Sequence, residues 1–175
     1  MVRFKVLETN VAEEACKLAR EIASLPDNRW KEVQSERDTT ALLHLPYEYD
    51  VTVQFREELN KSLVPPVQHF VREVAKARIR KPKSDEYALP PMVFKGSVWL
   101  EFLENEMAII QPFHHPSKGA KLQMQNKPGM EKHAVDLQHD SVIVVIGRAR
   151  CLPDPADIPY LMQKFFIEPI EVEAM

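Results

Sequence analysis

The chain has 175 residues, 45% of them apolar and 28% charged, with a net charge of -3. Those values suit one globular domain with a sizeable core, and no global charge imbalance demands a nucleic-acid or membrane partner. Only four glycines stand against 14 prolines, and no two of Gly96, Gly119, Gly129 and Gly147 are close enough to build a phosphate-cradling loop. No stretch approaches the ~18 apolar residues of a membrane span, and the N-terminus lacks the apolar run of a signal peptide. The two cysteines, Cys16 and Cys151, make neither a disulfide framework nor a metal knuckle. They read as reduced core thiols, and the expected compartment is the cytoplasm.

Val2 to Leu7 alternates apolar and basic residues and predicts a half-buried strand. Asn10 and Glu13 form a capping-box-like pair. Val11, Ala15, Leu18, Ala19 and Ile22 then follow at helical spacing, so a helix is expected up to Leu25-Pro26. Trp30 to Leu45 reads as extended, with Ala41–Leu45 the best strand. Phe55, Leu59 and Leu63 predict a helix that Pro65-Pro66 interrupts, and a second can start at Pro66, where a first-turn proline is tolerated. Residues 79–91 are polar and proline-rich and predict a loop.

From Met92 the pattern turns to strands. Val98, Leu100 and Phe102 alternate with Trp99, Glu101 and Leu103. Glu104-Asn105-Glu106 reads as a turn, and Met107 to Phe113 returns as the second arm of a hairpin. Leu122 and Met124 mark a short strand. Lys127-Pro128-Gly129-Met130 suits a type II turn. The unbroken run Val142–Ile146 predicts a strand buried on both faces. Asp154-Pro155-Ala156-Asp157 looks like a helix start, and Ile158, Leu161, Met162 and Phe165 continue it at helical spacing. Ile170–Glu173 alternates like an edge strand. The expected fold is a single α+β domain over 1–175, a mostly antiparallel sheet with helices packed on one face.

Four of the six histidines fall between Phe113 and Ser141: His114, His115, His133 and His139, with Asp136 and Asp140 among them. Imidazole and carboxylate are the usual ligands of zinc, iron or manganese. A divalent transition metal is therefore the one cofactor these residues could take, although none is firmly implied. As a strand, HAVDLQHD puts His133 and His139 on one face and Asp136 and Asp140 on the other. As a helix it gathers His133, Asp136 and Asp140. The Fe(II)/2-oxoglutarate oxygenases use a histidine, a nearby acid, a core strand and a second histidine well downstream. The last histidine here is His139, so that pattern is not met. His115-Pro116-Ser117 and His139-Asp140-Ser141 resemble the paired His-x-Ser/Thr motifs of the two-histidine phosphoesterases, but they lie 24 residues apart and the first contains proline.

Two further features bear on partners. Arg72, Lys76, Arg78, Arg80, Lys81 and Lys83 make a basic run, and on a helix Arg72, Lys76 and Arg80 would align as a phosphate-neutralising stripe. Trp99, Leu103 and Met107 offer apolar material for an interface, where aromatic residues and methionine are enriched. With no nucleotide loop, no activated nucleophile and no complete metal signature, the leading expectation is a small binding or assembly protein acting through a protein partner or self-association. A metal-dependent enzyme with its site in residues 114–140 is the alternative, and a nucleic-acid-associated factor using residues 72–83 the third.

Overall fold

The computed structural model describes residues 3–7, 31–33, 42–44, 64–84, 92–94, 99–112, 119–138, 142–155 and 160–170, with isolated positions at 17, 21, 53, 54, 57, 58 and 61. The elements are β1 (Arg3–Leu7), β2 (Lys31–Val33), β3 (Leu42–His44), α1 (Val64–Ala75), β4 (Ala77–Arg80), β5 (Met92–Phe94) and β6 (Leu100–Phe102). They continue with β7 (Glu106–Pro112), β8 (Lys121–Gln125), β9 (His133–Asp136), β10 (Val142–Ile146), β11 (Ala149–Asp154) and β12 (Tyr160–Pro169).

The strands form two antiparallel sheets. The larger has the order β1-β10-β7-β12-β5-β3-β2, with β4 also on β12, and the smaller has the order β6-β11-β8-β9. From β5 onward the chain passes back and forth between the sheets: β6, β8, β9 and β11 go to the smaller, and β7, β10 and β12 to the larger. The result is a jelly-roll-like double sheet.

Alternation along each strand explains why the sheets face one another. Ala108, Ile110, Ile143, Val145, Tyr160 and Met162 project from the larger sheet. They meet Phe102, Leu122, Met124, Ala149 and Cys151 from the smaller sheet in one buried cluster. Period-two side-chain placement puts these residues on one face of each strand. The opposite face of β10 and β7 is covered as well: all of Val142–Ile146 is buried, as are Met107 and Ile109. α1 contacts β1, β4 and β10 and buries Val67 and Val71.

Two tight links set the end of the double sheet at Leu103. The β6–β7 turn is closed by Glu106 N–H donating to the Leu103 carbonyl at 3.1 Å. The β10–β11 link, which carries the chain from the larger sheet to the smaller, consists of Gly147 and Arg148, both at positive φ (50° and 23°), and their N–H groups donate to the Glu106 and Leu103 carbonyls at 2.8 and 3.2 Å. A Cβ on Gly147 would meet the Glu104 carbonyl oxygen at 3.0 Å, so that position takes glycine for space as well as for backbone.

Several expectations are corrected. The molecule is mostly β-sheet, not an α+β domain with helices on one face. The segment expected to be a helix from Asp154 instead bends at Pro155, and Tyr160–Pro169 is β12, the longest strand among the described residues. Tyr160, Leu161 and Met162 are consecutive buried residues, and a strand covered on both faces satisfies a helical template by accident. The basic stripe does not form, because α1 ends at Ala75, Lys76 has φ 50° and Arg80 lies on β4. Ile79 and Arg80, expected in a loop, pair with Ile167 and Phe166. The turn at Lys127 is as expected: Met130 N–H donates to the Lys127 carbonyl at 3.2 Å, and Gly129 has φ 79°. Lys17, Glu21, Val53, Gln54, Glu57 and Glu58 are helical, in line with the two early helices. Cys16 lies outside the described residues.

Candidate functional site

Described flanks of the histidine-rich sequence meet at one end of the double sheet. β7 leaves the sheet at Pro112 and β10 enters it at Val142, and these strands are neighbours, with Ile110 opposite Ile143. Leu137 N–H donates to the Ala120 carbonyl at 2.9 Å, tying the other flanks together. Segments 113–118 and 139–141 are thus bracketed by adjacent flanks. His114, His115, His139 and Asp140 themselves lie outside the described residues.

His133 and Asp136 do not form a shared site. They occupy β9, a strand of alternating half-buried and exposed residues. Three residues apart on a strand means opposite faces and about 10 Å of travel. The His133 ring lies 6.4 Å from that of Phe4, while Asp136 sits opposite Lys121. Among the described residues no group of three His, Cys, Asp or Glu side chains could hold a metal ion.

The other end of the double sheet holds charges that sequence reasoning missed. Lys164 Nζ lies 3.2 Å from Glu106 Oε2, with 16% and 9% of the two side chains exposed. The same oxygen accepts from the Leu103 N–H at 2.9 Å, and Lys164 lies 5.4 Å from the centre of the Phe102 ring. The alternation Tyr160-Met162-Lys164 on β12 and Glu106-Ala108-Ile110 on β7 carries this information once 160–169 is read as a strand. Deeper in, Cys151 Sγ and Tyr160 Oη are 3.9 Å apart and wholly buried. Burial pushes the Cys151 thiol up to about 12, against a smaller lowering by the Tyr160 hydrogen bond and Lys164. Burial, with the Cys151 charge and hydrogen bond behind it, also raises Tyr160.

The proposed interface residues separate. Met107 is fully buried and belongs to the core, because the face it occupies is covered. Leu103 is 64% exposed. Trp99 is half-buried, with Arg150 4.5 Å and Lys132 5.7 Å from its ring centre. Of the basic run, Arg72, Lys76, Lys81 and Lys83 are exposed. Arg80 instead stacks 5.0 Å from the Phe166 ring centre and lies 3.8 Å from Glu168. Among the described residues no helix is long and apolar enough to cross a membrane.

No family model and no curated protein matches the chain. Solved structures do. A Pseudomonas putida prolyl-4-hydroxylase superimposes with a TM-score of 0.52 at 8% identity, covering 95% of this chain and 92% of its own. An oxidoreductase of the 2OG-Fe(II) oxygenase family from Burkholderia pseudomallei gives 0.54 at 12% identity, covering 95% and 85%. The chain has the fold of the 2-oxoglutarate and Fe(II) oxygenases. The non-heme alpha ketoglutarate dependent epimerase SnoN from nogalamycin biosynthesis gives 0.53 at 10% identity, covering 96% and 77%.

This likeness overturns the expectation of a small binding or assembly protein. That expectation rested on missing signatures, whereas the chain superimposes over 95–96% of its length on structures described as a prolyl-4-hydroxylase, a 2OG-Fe(II) oxygenase and a non-heme epimerase. At these identities the likeness establishes the fold, and residues must carry the chemistry. Among the described residues the interior at the Leu103 end holds Phe102, Glu106, Ala149 and Lys164 and no histidine.

Proposed function

We propose that this chain is a metal-dependent enzyme on the oxygenase double sheet, using iron and 2-oxoglutarate, with ligands drawn from His114, His115, His139 and Asp140. The observation that carries this reading is the convergence of described flanks: Pro112 beside Val142 on neighbouring strands, and Ala120 bonded to Leu137. In the sequence His114 stands two residues from Pro112, and His139 two residues from Leu137.

Two histidines and one carboxylate are the donor set of non-haem Fe(II) centres, which leave positions open for a cosubstrate. The order differs from the oxygenase pattern, since here the acid, Asp140, follows the last histidine. His133 and Asp136 are not part of this proposal, because β9 turns them to opposite faces. The test is thermal melting of metal-free protein with and without Fe(II) under argon. A rise in Tm that His139→Ala abolishes and His133→Ala leaves intact is expected. A Tm unmoved by Fe(II), Zn(II) and Mn(II) would sink the reading.

A further inference from the structure

An open cavity of about 530 Å³ lies at the Leu103 end, where β6, β8 and β11 meet their turns. That volume is within the usual range for small-molecule sites. Three cations line it, Lys127, Arg148 and Arg150, against two carboxylates, Glu101 and Glu104. Glu104 is already engaged: Arg3 lies 3.2 Å from one of its oxygens and Arg148 3.5 Å from the other. Among the described residues neither Lys127 nor Arg150 has an ion-pair partner.

Arg150 is also held in place. It stacks 4.5 Å from the Trp99 ring centre. The Gln125 side-chain oxygen, in the amide orientation that satisfies its neighbours, accepts from Arg150 Nε at 2.8 Å and from Nη2, while its amide nitrogen donates to the Met130 carbonyl at 3.2 Å. Gln125 is itself 2% exposed, so a buried polar group fixes a guanidinium at the cavity. Two of its five N–H donors are used there.

Arg148 is placed by the β10–β11 link. It has φ 23°, a conformation that glycine adopts without strain, held by its N–H donating to the Leu103 carbonyl at 3.2 Å. The side chain so placed is a cation lining the cavity.

We infer that this cavity binds a small organic polyanion, a phosphate ester or polycarboxylate, through Arg150, Arg148 and Lys127. A fixed guanidinium makes paired hydrogen bonds to such oxyanions, and lysine adds a point charge. Glu101, on the strand opposite Arg150, limits the affinity and selects for ligands carrying more than one charge. The site lies at the opposite end of β7 and β10 from Pro112 and Val142 and needs no metal.

Calorimetric titration of the full-length, chelator-treated protein with pyrophosphate, and separately with citrate, tests this against sodium chloride at equal ionic strength. Saturable binding of at least one anion is expected. Pyrophosphate alone would indicate a phosphate ester, and citrate alone a polycarboxylate. Lys127→Gln, on an exposed turn, should weaken binding several-fold, and Arg150→Gln at least ten-fold, whereas Glu101→Gln should tighten it. Arg148→Gly separates the roles, since relief of strain raises Tm while loss of the cation lowers affinity. Neither anion binding above the chloride control, or unchanged affinity in both Arg150→Gln and Lys127→Gln, would overturn the inference.

Discussion

Lys164 and Glu106 face each other across neighbouring strands inside the double sheet, Nζ to Oε2 at 3.2 Å. Glu106 also receives the Leu103 N–H at 2.9 Å, so one carboxylate neutralises an interior lysine and closes the β6–β7 turn. Removing one partner leaves the other charge poorly solvated. Lys164→Met should therefore destabilise the fold by about 3 kcal/mol, the cost typical of breaking a buried pair. Lys164→Met combined with Glu106→Gln should cost less than the two single changes added together. Urea unfolding of the three variants checks this, and strict additivity would show that the pair is not coupled.

Gly147 links β10 to β11 with φ 50°, and an added Cβ would stand 3.0 Å from the Glu104 carbonyl oxygen. Gly147→Ala combines left-handed strain with a backbone clash. It should cost about 2 kcal/mol, read as a lowered urea midpoint at unchanged slope. Gly129→Ala is a useful comparison, having φ 79° but nothing within 4 Å of its Cβ position. It should cost less, and equal losses would mean that the Glu104 contact is not the cause.

Cys151 is wholly buried, and burial raises its thiol from 9.0 to about 12. In a Cys16→Ser background, Cys151 should resist thiol-modifying reagents at pH 8 in the native state and react at once in guanidinium. The sign of the linkage follows. Between pH 9 and about 12 the unfolded thiol loses its proton while the folded one keeps it, so the unfolded state is favoured as pH rises. This contribution to stability is complete below pH 9 and lost through that window, with Tyr160, raised for the same reason of burial, acting in the same direction. Stability that holds steady from pH 9 to 11 would contradict it.

The parts of this architecture legible in the sequence are those where one local rule acted alone. Val142–Ile146 read as a two-faced strand because five consecutive apolar residues leave no polar face. The Lys127–Met130 turn was legible because proline and glycine fix its dihedrals. The turn at Glu104 and Asn105 was legible from the alternation on either side of it, but the expected hairpin does not form: β6 joins the smaller sheet beside β11, and β7 the larger beside β10 and β12. β12 was not legible, because Leu161, Met162 and Phe165 satisfy helical and strand spacing together, and only pairing with β7, β5 and β4 decides between them. That misreading and the expected hairpin together hid the double sheet, and the first hid Lys164 as an inward charge. The cations at the Leu103 end were hidden for another reason: Lys127 comes from the turn after β8, Arg148 from the β10–β11 link and Arg150 from β11, and only the sheet order brings them together.

The most direct test of the account is equilibrium dialysis of the tag-free chain against Fe(II) under argon, followed by elemental analysis. About one equivalent of iron, retained by His133→Ala and lost in His139→Ala, is the predicted result. No retained iron, zinc or manganese would contradict it, and would make this chain an oxygenase double sheet without a metal centre.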